Sequence, residues 1–382
     1  MTLFLATFFL IYGGMHLYAF LKAKAALAFG IQTSLGIGFF MLLMIFAPIL
    51  VRFSERAGFE SFARIMSYAG YIWLGILFLF LSAALLIDLY RLILSAAGFM
   101  LRRDLSSLNI SASFAFFIPL AVSIVVSVYG YFEARDIRTE KVVIHSPRIP
   151  AEAGTVRIAQ ISDVHLGLIV REERLQRILA EVKKADPDIL VSTGDLVDGQ
   201  IDNLAHLAEM LQEVTPRHGK FAVTGNHEFY AGIDQAVAFT EKAGFTLLRG
   251  QGQTVPGLIN IAGVDDIQAR AFGGLQGATE EQLLSGFSNG LFTLFLKHRP
   301  LVNSNVVGLF DLQLSGHVHK GQIFPFSILT WLYYPKQAGF AKLSARSGLS
   351  VSRGSGTWGP PVRFLSPPEV TVLELVHKPG PP

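Results

Sequence analysis

Residues 156–165 read VRIAQISDVH, an apolar run that ends in a polar cluster. The run Val156–Ile161 has the length and the β-branched content of a buried strand, and Asp163 and His165 follow it directly. Two further clusters have the same arrangement: Gly194-Asp195 after the strand-like run 189–192, and Gly225-Asn226-His227 after the run 221–223. The sequence therefore predicts three strands that each end in polar side chains.

Helical patterns separate these strands. In 172–184 the apolar residues Leu175, Ile178, Leu179 and Val182 recur at the spacing of one helical face, and 204–214 and 233–243 are similar. Strands that alternate with helices favour a parallel sheet covered by helices. Beyond residue 245 fewer helices intervene, so we expect a second, more mixed sheet packed on the first. Its predicted strands are 258–263, 291–296, 312–314, 349–352 and 370–375.

The polar clusters should converge, because ligands of an open α/β sheet collect beyond the carboxyl ends of its strands. Two more clusters lie downstream, Lys297-His298-Arg299-Pro300 and Gly316-His317-Val318-His319. Together the clusters offer two Asp, one Asn and five His, without a thiolate because the chain has no cysteine. Oxygen and imidazole ligands suit Mn²⁺, Fe or Zn²⁺ better than Mg²⁺ or Ca²⁺. The number of ligands is enough for two divalent metal ions.

The ligands divide into two sets around one bridging carboxylate. We expect Asp163, His165 and His319 to bind one ion. A second ion is expected at Asn226, His298 and His317, with Asp195 between the two. An extended backbone at Asp-x-His and His-x-His would send both side chains of each pair to one face.

Such a centre has a defined chemistry. Two ions about 3.5–4 Å apart would lower the pKa of a bridging water and hold phosphoryl oxygens for an in-line displacement. His227 directly follows the ligand Asn226. It is therefore predicted to be catalytic, as a general acid toward the leaving group or as a donor to the charge of the transition state.

These motifs resemble the calcineurin-like metallophosphoesterase superfamily, whose pattern is D-x-H, G-D, G-N-H-[DE], a later lone His and G-H-x-H. Every element is present, including Asp163-Val164-His165, Gly225-Asn226-His227-Glu228 and Gly316-His317-Val318-His319. The resemblance covers roughly residues 155–376. It implies an α/β fold, a four-layer α/β/β/α sandwich, a dinuclear centre with the ligands named above, and a metal-dependent phosphoric ester hydrolase.

The C-terminal segment is similar to one branch of this superfamily in particular. The segment from Ser352 to Arg363, followed by Pro368-Glu369, resembles a bacterial membrane-associated branch. That branch is similar to enzymes that hydrolyse the pyrophosphate of UDP-diacylglucosamine, and it also contains many members of unassigned substrate. The resemblance implies a place in the bacterial inner (cytoplasmic) membrane.

Four windows in the first 134 residues contain no Asp, Glu, Lys or Arg: Met1–Leu21, Ala25–Val51, Ile65–Ile87 and Leu105–Phe132. Each reaches the roughly 20 residues that a helix needs to cross a hydrocarbon core of about 30 Å. The first lacks the positively charged start of a cleavable signal peptide, so we expect it to be retained. The sequence thus predicts a transmembrane region with four helices at 1–134, a linker at 135–154 and a catalytic domain at 155–382.

Charges beside the predicted spans bear on the side of the membrane. The loop 52–64 and the segment 135–141 carry six Lys and Arg residues, against five in the opposite loops. The positive-inside rule then favours a cytoplasmic catalytic domain. Within the spans, His16 is expected near an interface, and Asp88 with Arg91 is expected to form an ion pair at a helix end.

Other features concern the partners. The formal net charge of +3 is too small to indicate nucleic acid, which leaves the lipid bilayer and a phosphorylated substrate as predicted partners. Arg299, next to His298, is the arginine favoured to pair with a substrate phosphate. The apolar segment 323–334 is expected either to dip into the membrane interface beside the site or to form a buried sheet edge. Four acidic residues near the motifs either orient histidines or serve turns and caps: Asp198, Glu228, Asp265 and Asp266.

The leading hypothesis is a membrane-anchored dinuclear phosphoesterase that hydrolyses a phosphate ester or pyrophosphate of a lipid or lipid precursor. One alternative is a membrane-tethered phosphodiesterase or phosphatase of soluble substrates, with the helices serving only as an anchor. The other alternative belongs to a different class, a catalytically silent metal-binding membrane scaffold. The complete ligand set and His227 favour an enzyme over the scaffold.

Overall fold

The computed structural model describes residues 2–199 and 204–379, with side chains from Ala6 onward. The chain forms two compact units. The first runs from Met1 to Phe132 and includes Gly359–Val362, and the second comprises Glu133–Trp358 and Arg363–Pro382.

Long helices make up the first unit: α1 (Thr2–Leu27), α2 (Ile31–Arg56), α3 (Glu60–Leu101) and α4 (Ala112–Glu133). Tyr12 and Ala19 of α1, Met41 of α2, and Leu77 and Phe80 of α3 form a buried apolar cluster. Many of the remaining apolar side chains of these helices are exposed. An apolar outer surface on a helical bundle is what contact with lipid requires.

Three segments of this unit are long and apolar enough to cross a membrane: Ile31–Arg56, Glu60–Leu101 and Ser106–Glu133. The prediction of four crossing helices is therefore corrected to three candidates among the described residues. The first helix forms as expected, but its described part contains His16, Lys22 and Lys24, which lower its mean hydropathy. The 42 residues of α3 extend for roughly 63 Å at the α-helical rise, about twice the thickness of a hydrocarbon core.

His16 is buried within the first unit. The indole Nε1 of Trp73 donates to His16 Nε2 at 2.8 Å. Because Nε2 accepts, the proton of the neutral ring sits on Nδ1, which donates to the carbonyl of Tyr12 at 2.8 Å. Both ring nitrogens are thus satisfied, which favours a structural role.

Asp88 lies inside α3 and not at its end, because the helix continues to Leu101. Its carboxylate accepts from the Tyr18 hydroxyl at 2.7 Å and pairs with Lys22. Arg91, one turn later, lies farther away at 3.8 Å. The ion pair expected at a helix end is therefore part of a contact between α1 and α3.

The second unit contains two six-stranded sheets among its described residues. Its strands are β1 (Arg138–Ser146), β2 (Thr155–Ile161), β3 (Ile189–Ser192), β4 (Lys220–Ala222), β5 (Thr246–Leu247), β6 (Gln251–Val255), β7 (Ile259–Gly263), β8 (Phe292–Leu296), β9 (Leu312–Ser315), β10 (Gly339–Lys342), β11 (Gly348–Val351) and β12 (Glu369–His377). Its helices are α5 (Glu172–Ala185), α6 (Ala205–Gln212), α7 (Asn226–Ala231), α8 (Ile233–Lys242), α9 (Glu280–Ser285) and α10 (Phe326–Tyr333).

The first sheet has the order β1-β12-β2-β3-β4-β5, in which β2 to β5 are parallel and β12 is antiparallel to β2. The second has the order β10-β11-β9-β8-β7-β6, with a parallel centre and an antiparallel strand at each edge. Parallel strands are usually covered on both faces, and the burial of β3, β8 and β9 agrees with this.

Alternation along β2 shows how the layers are built. Val156 and Ile158 face the core between the two sheets, whereas Ala159 and Ile161 face the core beneath α5, α6 and α8. On the far side of the second sheet, Phe295 packs with residues of α9. The predicted α/β/β/α layer order follows from these three cores.

Local sequence explains α5 well. Glu172 and Glu173 occupy its first turn, and Lys183 and Lys184 occupy its last. These charges complement the helix dipole. Asp186, at the C-cap, takes up the left-handed conformation that commonly ends a helix.

Three segments differ from expectation. The segment 370–375, expected in the second sheet, belongs to β12 in the first sheet, where it lies between β1 and β2. The segment interpreted as a linker contains β1, which pairs along its whole length with β12. Residues 326–333 form α10, all of whose residues are described and none of which is buried; they are therefore not a buried sheet edge.

Candidate metal centre

The predicted site residues follow the carboxyl ends of five strands. Asp163 and His165 follow β2, Asp195 follows β3, Asn226 and His227 follow β4, His298 follows β8, and His317 and His319 follow β9. The strands of the two sheets bring these residues together, although more than 150 positions separate Asp163 from His319 in sequence. The convergence expected from the strand-end rule is present.

Asp163, His165 and His319 form one cluster. Their ligand atoms lie within 4.8 Å of one another. His319 Nε2 lies 3.5 Å from Asp163 Oδ1 and 3.2 Å from His165 Nε2. All three side chains are buried, so their polar atoms converge on a small volume away from bulk water.

Asp195, His298 and His317 form a second cluster within the same limit. His298 Nε2 lies 3.2 Å from Asp195 Oδ2 and 3.1 Å from His317 Nδ1. Asp195 Oδ2 also lies 3.8 Å from His165 Nε2 of the first cluster. Asp195 is thus the carboxylate between the two clusters, as a bridging ligand would be.

Asn226 begins α7 beside this second cluster and is buried. Its side-chain oxygen Oδ1 has no hydrogen-bond partner among the residues that the structure describes. A buried amide oxygen without a partner costs free energy unless something else binds it. This orphaned acceptor is what a cation ligand looks like in the absence of its cation.

The backbone at the ligands is unusual. Asp163, His165, Asp195, His317 and His319 all have φ between 46° and 72°. Left-handed backbone is uncommon for residues other than glycine and collects at functional sites. The expectation of an extended backbone at Asp-x-His and His-x-His was therefore wrong, because the chain turns sharply at each pair after its strand ends. The convergence of the side chains does not depend on it.

Neighbouring groups orient the imidazoles. His298 Nδ1 lies 2.8 Å from the carbonyl of Thr193, so that Nδ1 donates and Nε2 faces Asp195. Asp198 Oδ1 lies 2.9 Å from His227 Nδ1 and 3.5 Å from His165 Nδ1. The partners of His298 and His227 fix Nδ1 as the donor and leave Nε2 facing the site, whereas His165 Nδ1 has no hydrogen-bond partner among the described residues.

The acidic residues near the motifs separate into two groups. Asp198 contacts histidines, and Glu228 accepts from the backbone N–H groups of Gly225 at 2.6 Å and of Asp195 at 3.0 Å. Glu228 therefore ties the loop after β3 to the start of α7. Asp265 and Asp266, by contrast, pair with arginines and contact none of the clustered histidines in the described structure.

Electrostatics favour positive charge at the centre. Burial opposes a charged His298, but Asp195 outweighs burial and raises the pKa of His298 to about 10. The same opposition, with Asp195 and Asp198 as the acids, raises the pKa of His227 to about 10. Burial and then the positive charge of His298 lower the pKa of His317 to about 3. The buried carboxylates thus favour positive charge within the site. A pair of divalent cations would supply that charge.

Glycines make room for the ligands. A Cβ at Gly225 would lie 2.2 Å from Asp195 Oδ1, and one at Gly316 would lie 2.2 Å from Asp163 Oδ2. Non-bonded atoms do not approach so closely. Any residue other than glycine at either position would therefore displace a carboxylate. At these two glycines the backbone therefore approaches the site more closely than any residue with a side chain would allow.

The variant Gly316→Ala is expected to raise the dissociation constant for Mn²⁺ by about ten- to a hundredfold, because the new methyl group pushes Asp163 aside. Isothermal titration of the purified full chain measures it. Gly286→Ala is the matched control, since a Cβ there meets nothing nearer than 3.3 Å. Equal affinities in the two variants would contradict the close packing described here.

Two arginines near the site already have hydrogen-bond partners within the protein. Arg299 lies beside His298 but forms two hydrogen bonds to Asp266, at 2.8 and 3.1 Å. Arg363 is fully buried, and it donates to the carbonyls of Gly356 at 2.6 Å and Arg353 at 2.7 Å. The role of Arg299 toward substrate stays a prediction. Arg363 instead holds its loop against the turn of His319, a role that sequence reasoning missed.

The residues present fit a pair of divalent cations. They supply two buried carboxylates, a buried amide oxygen without a partner in the described part of the chain, and imidazoles whose ring nitrogens cluster with the carboxylates. Thiolates are absent from the sequence, and a set of oxygen and nitrogen donors is borderline in softness. The assignment of each ligand to one ion remains a prediction.

Comparison with known proteins gives a consistent answer. The family described as calcineurin-like phosphoesterase matches residues 156–321. An uncharacterized metallophosphoesterase of Aquifex aeolicus is 38% identical over 67% of this chain and 98% of its own length. A transmembrane protein with metallophosphoesterase domain from Danio rerio is 32% identical over 74% of this chain and 68% of that protein. An uncharacterized metallophosphoesterase of Campylobacter jejuni is 30% identical over 86% of this chain and 88% of its own.

Calcineurin-like phosphoesterases use divalent metal ions, and the clustered carboxylates and histidines agree with that chemistry. The scaffold alternative has no support in these relationships. This chain belongs to the calcineurin-like metallophosphoesterase family, whose members are metal-dependent phosphoester hydrolases.

Proposed function

We propose that this metallophosphoesterase hydrolyses a phosphate ester or pyrophosphate of a lipid or lipid precursor, using two divalent ions. The observation that carries the proposal is that one chain has both three helices apolar enough to cross a membrane and clustered carboxylates and histidines that could hold metal ions. A hydrolase of soluble substrates needs one anchor at most. Three long apolar helices therefore favour a substrate that is itself in the membrane.

Each site residue has a proposed role. Asp163, His165 and His319 would hold one ion, and Asn226, His298 and His317 the other, with Asp195 shared between them. When bound, two such ions lower the pKa of water and offset the charge of phosphoryl oxygens. Asp198 accepts from His227 Nδ1 and stabilises the imidazolium, whose Nε2–H would donate its proton to the leaving oxygen and leave the neutral ring.

The location is proposed with the function. A membrane-associated bacterial enzyme of this kind would sit in the inner membrane. The balance of Lys and Arg residues favours a catalytic unit in the cytoplasm. A protease-protection assay that compares inverted with right-side-out vesicles tests the side. Cleavage in the second unit only in inverted vesicles agrees with the cytoplasmic side.

A substrate panel tests the lipid proposal. The purified full chain in lipid nanodiscs with Mn²⁺ would be offered a phosphatidic acid, a phosphodiester lipid and a nucleotide-linked lipid pyrophosphate. Two chromogenic soluble esters serve as comparison. We expect kcat/KM for one lipid class to exceed that for both soluble esters by about tenfold or more, because apolar chains add binding energy. A higher kcat/KM on the soluble esters would favour the soluble-substrate alternative.

Removal of the metal should abolish hydrolysis. Chelation strips the ions that neutralise the phosphoryl charge, and we expect a loss of at least about a thousandfold in kcat on any substrate. Dialysis followed by Mn²⁺, Zn²⁺ or Fe²⁺ should restore activity to different extents and so identify the native metal. Activity that survives complete removal, verified by elemental analysis, would contradict the metal-dependent chemistry.

A further inference from the structure

Helix α10 has an unusual surface. Its sequence is FSILTWLY, and none of its eight residues is buried. Leu332 is 69% exposed, Leu329 58% and Trp331 56%. At 100° per residue, the large apolar side chains of α10 cover an arc of roughly 220° around its axis, and Ser327 and Thr330 lie together on the remaining side.

A helix with so large an exposed apolar surface ordinarily contacts an apolar environment. An apolar face of this width is normally covered by protein or by lipid. The few polar groups of α10 are satisfied locally: Thr330 Oγ1 donates to the carbonyl of Ser327 at 3.1 Å, and Gln337 donates to the same carbonyl at 2.7 Å. The helix therefore presents a surface that is almost entirely apolar.

This helix is packed against the metal centre. A Cβ at Gly321 would lie 2.4 Å from the backbone of Ser327, so the first turn of α10 sits directly on the turn that carries His319. At its other end, the Tyr334 ring lies 5.5 Å from the ring of His317. Trp358 is 54% exposed, and its ring centroid lies 6.0 Å from that of His227. Its backbone N–H donates to Gln322, which lies shortly before α10 in the chain.

We propose that α10 inserts into the headgroup layer of a lipid bilayer and places the metal centre at the level of lipid phosphates. Residues 321–335 contain no charged side chain, whereas Lys320, Lys336 and Lys342 flank them and complement anionic headgroups. Trp331 and Tyr333 are residues typical of membrane interfaces. Eight residues are too few to span a bilayer, so α10 lies in the interface plane.

A bilayer is favoured over a protein partner for a further reason. The same chain carries three helices long enough to cross a membrane, so a bilayer is always within reach of the second unit. The docked helix would admit headgroup phosphates to the site while leaving acyl chains in the membrane. This second part of the inference rests on the proposed function, whereas insertion itself does not.

The absence of cysteine makes a direct test simple, because one introduced cysteine takes one label. Leu332→Cys in the full chain carries a nitroxide and is reconstituted into vesicles of phosphatidylcholine and phosphatidylglycerol. Electron paramagnetic resonance with dissolved oxygen and a water-soluble nickel chelate reports depth. We expect the label about 5–10 Å below the phosphates, accessible to oxygen and shielded from nickel.

Lys183→Cys is the control position. Its side chain is 55% exposed near the end of α5, and α5 ends at the amino edge of the sheet, opposite the metal centre. We expect this label to be accessible to nickel. The inference is overturned if the label at 332 is as accessible to nickel as the label at 183. It is also overturned if spin–spin broadening shows that a second copy covers α10.

A functional arm separates this inference from the proposed function. The double variant Leu329→Ser, Leu332→Ser removes exposed apolar side chains and no core contact. KM for a lipid phosphate in vesicles should rise about tenfold or more, with kcat/KM on a soluble ester within about twofold of wild type. An equal loss on both substrates would refute delivery of lipid by α10. Hydrolysis of no lipid, with the 332 label in the bilayer, would refute the proposed function alone.

Discussion

Replacing Asp195 with Asn is expected to lower kcat/KM by at least about a hundredfold and to reduce the number of bound cations per chain. Changes to groups that merely orient a ligand already cost about ten- to a hundredfold, so loss of the shared ligand should cost more. Asp195 is 2% exposed, and its backbone and one carboxylate oxygen are fixed by Glu228 and by the N–H of His227. An amide of the same shape keeps these contacts but removes the charge between the two clusters.

The matched control for this change is Asp136→Asn. Its carboxylate is 62% exposed and pairs with Arg138 on the surface. Exposed pairs of this kind contribute about 0–1 kcal/mol, so activity and metal content should stay at the wild-type level. If Asp195→Asn kept both full metal content and full turnover, Asp195 would not be a ligand, and the two clusters would need another bridge.

Replacing His227 with Ala is expected to lower kcat by roughly 10²–10⁴-fold while leaving the metal content unchanged. Its Nδ1 contacts Asp198, and its ring lies close to His165 and Asp195, but His227 is not one of the seven predicted ligands. The effect should depend on the leaving group. An alkoxide needs a proton as it departs, whereas a nitrophenolate leaves without one, so the loss should be larger for an alkyl phosphate.

His206→Ala is the control for that experiment, because His206 also pairs with a carboxylate, Glu172, but is not one of the clustered residues. It should behave as the wild type on both substrates. An equal loss on alkyl and nitrophenyl esters in His227→Ala would show that His227 stabilises charge without transferring a proton. Loss of metal from that variant would instead identify His227 as a ligand.

Much of the catalytic unit could be predicted from sequence because local patterns and chain order agree there. The strand Ile189–Ser192 has its predicted bounds, and α5 differs by one residue. The strand is recognisable by its apolar residues and α5 by its length and periodic apolar face, so neither needs tertiary context. The polar clusters follow such strands, so their meeting follows from a general property of parallel sheets and needs no knowledge of loop geometry.

Other features depend on contacts that the sequence does not display. β1 is an edge strand of mixed polarity, and it forms because β12, more than 200 residues later, pairs with it. The left-handed backbone at Asp163 and His317 arises where the chain turns off its strand, and hydrogen bonds from the N–H of His317 to Asp163 hold it there. Neither effect has a local sequence signal.

Amino-acid composition alone did not predict how many helices can cross a membrane or whether an apolar segment is buried. A window without charged residues predicted a fourth span at Met1–Leu21, yet Lys22 and Lys24 continue the same helix and His16 lies within it. Apolar content around 323–334 was recognised, but whether it would be buried was not decided by the pattern. In the structure the backbone of Ser327 packs closely on Gly321, and the side chains of α10 are left unburied.

X-ray absorption fine structure of the Mn²⁺-loaded full chain tests the central claim most directly, since it measures the surroundings of the ions without a substrate. Seven protein ligands gathered at five strand ends should hold two ions, and we expect a metal–metal scattering shell at about 3.5–4 Å with nitrogen and oxygen neighbours. That shell should vanish in Asp195→Asn. A wild-type spectrum of solvated Mn²⁺, without imidazole scattering or a second metal, would contradict it.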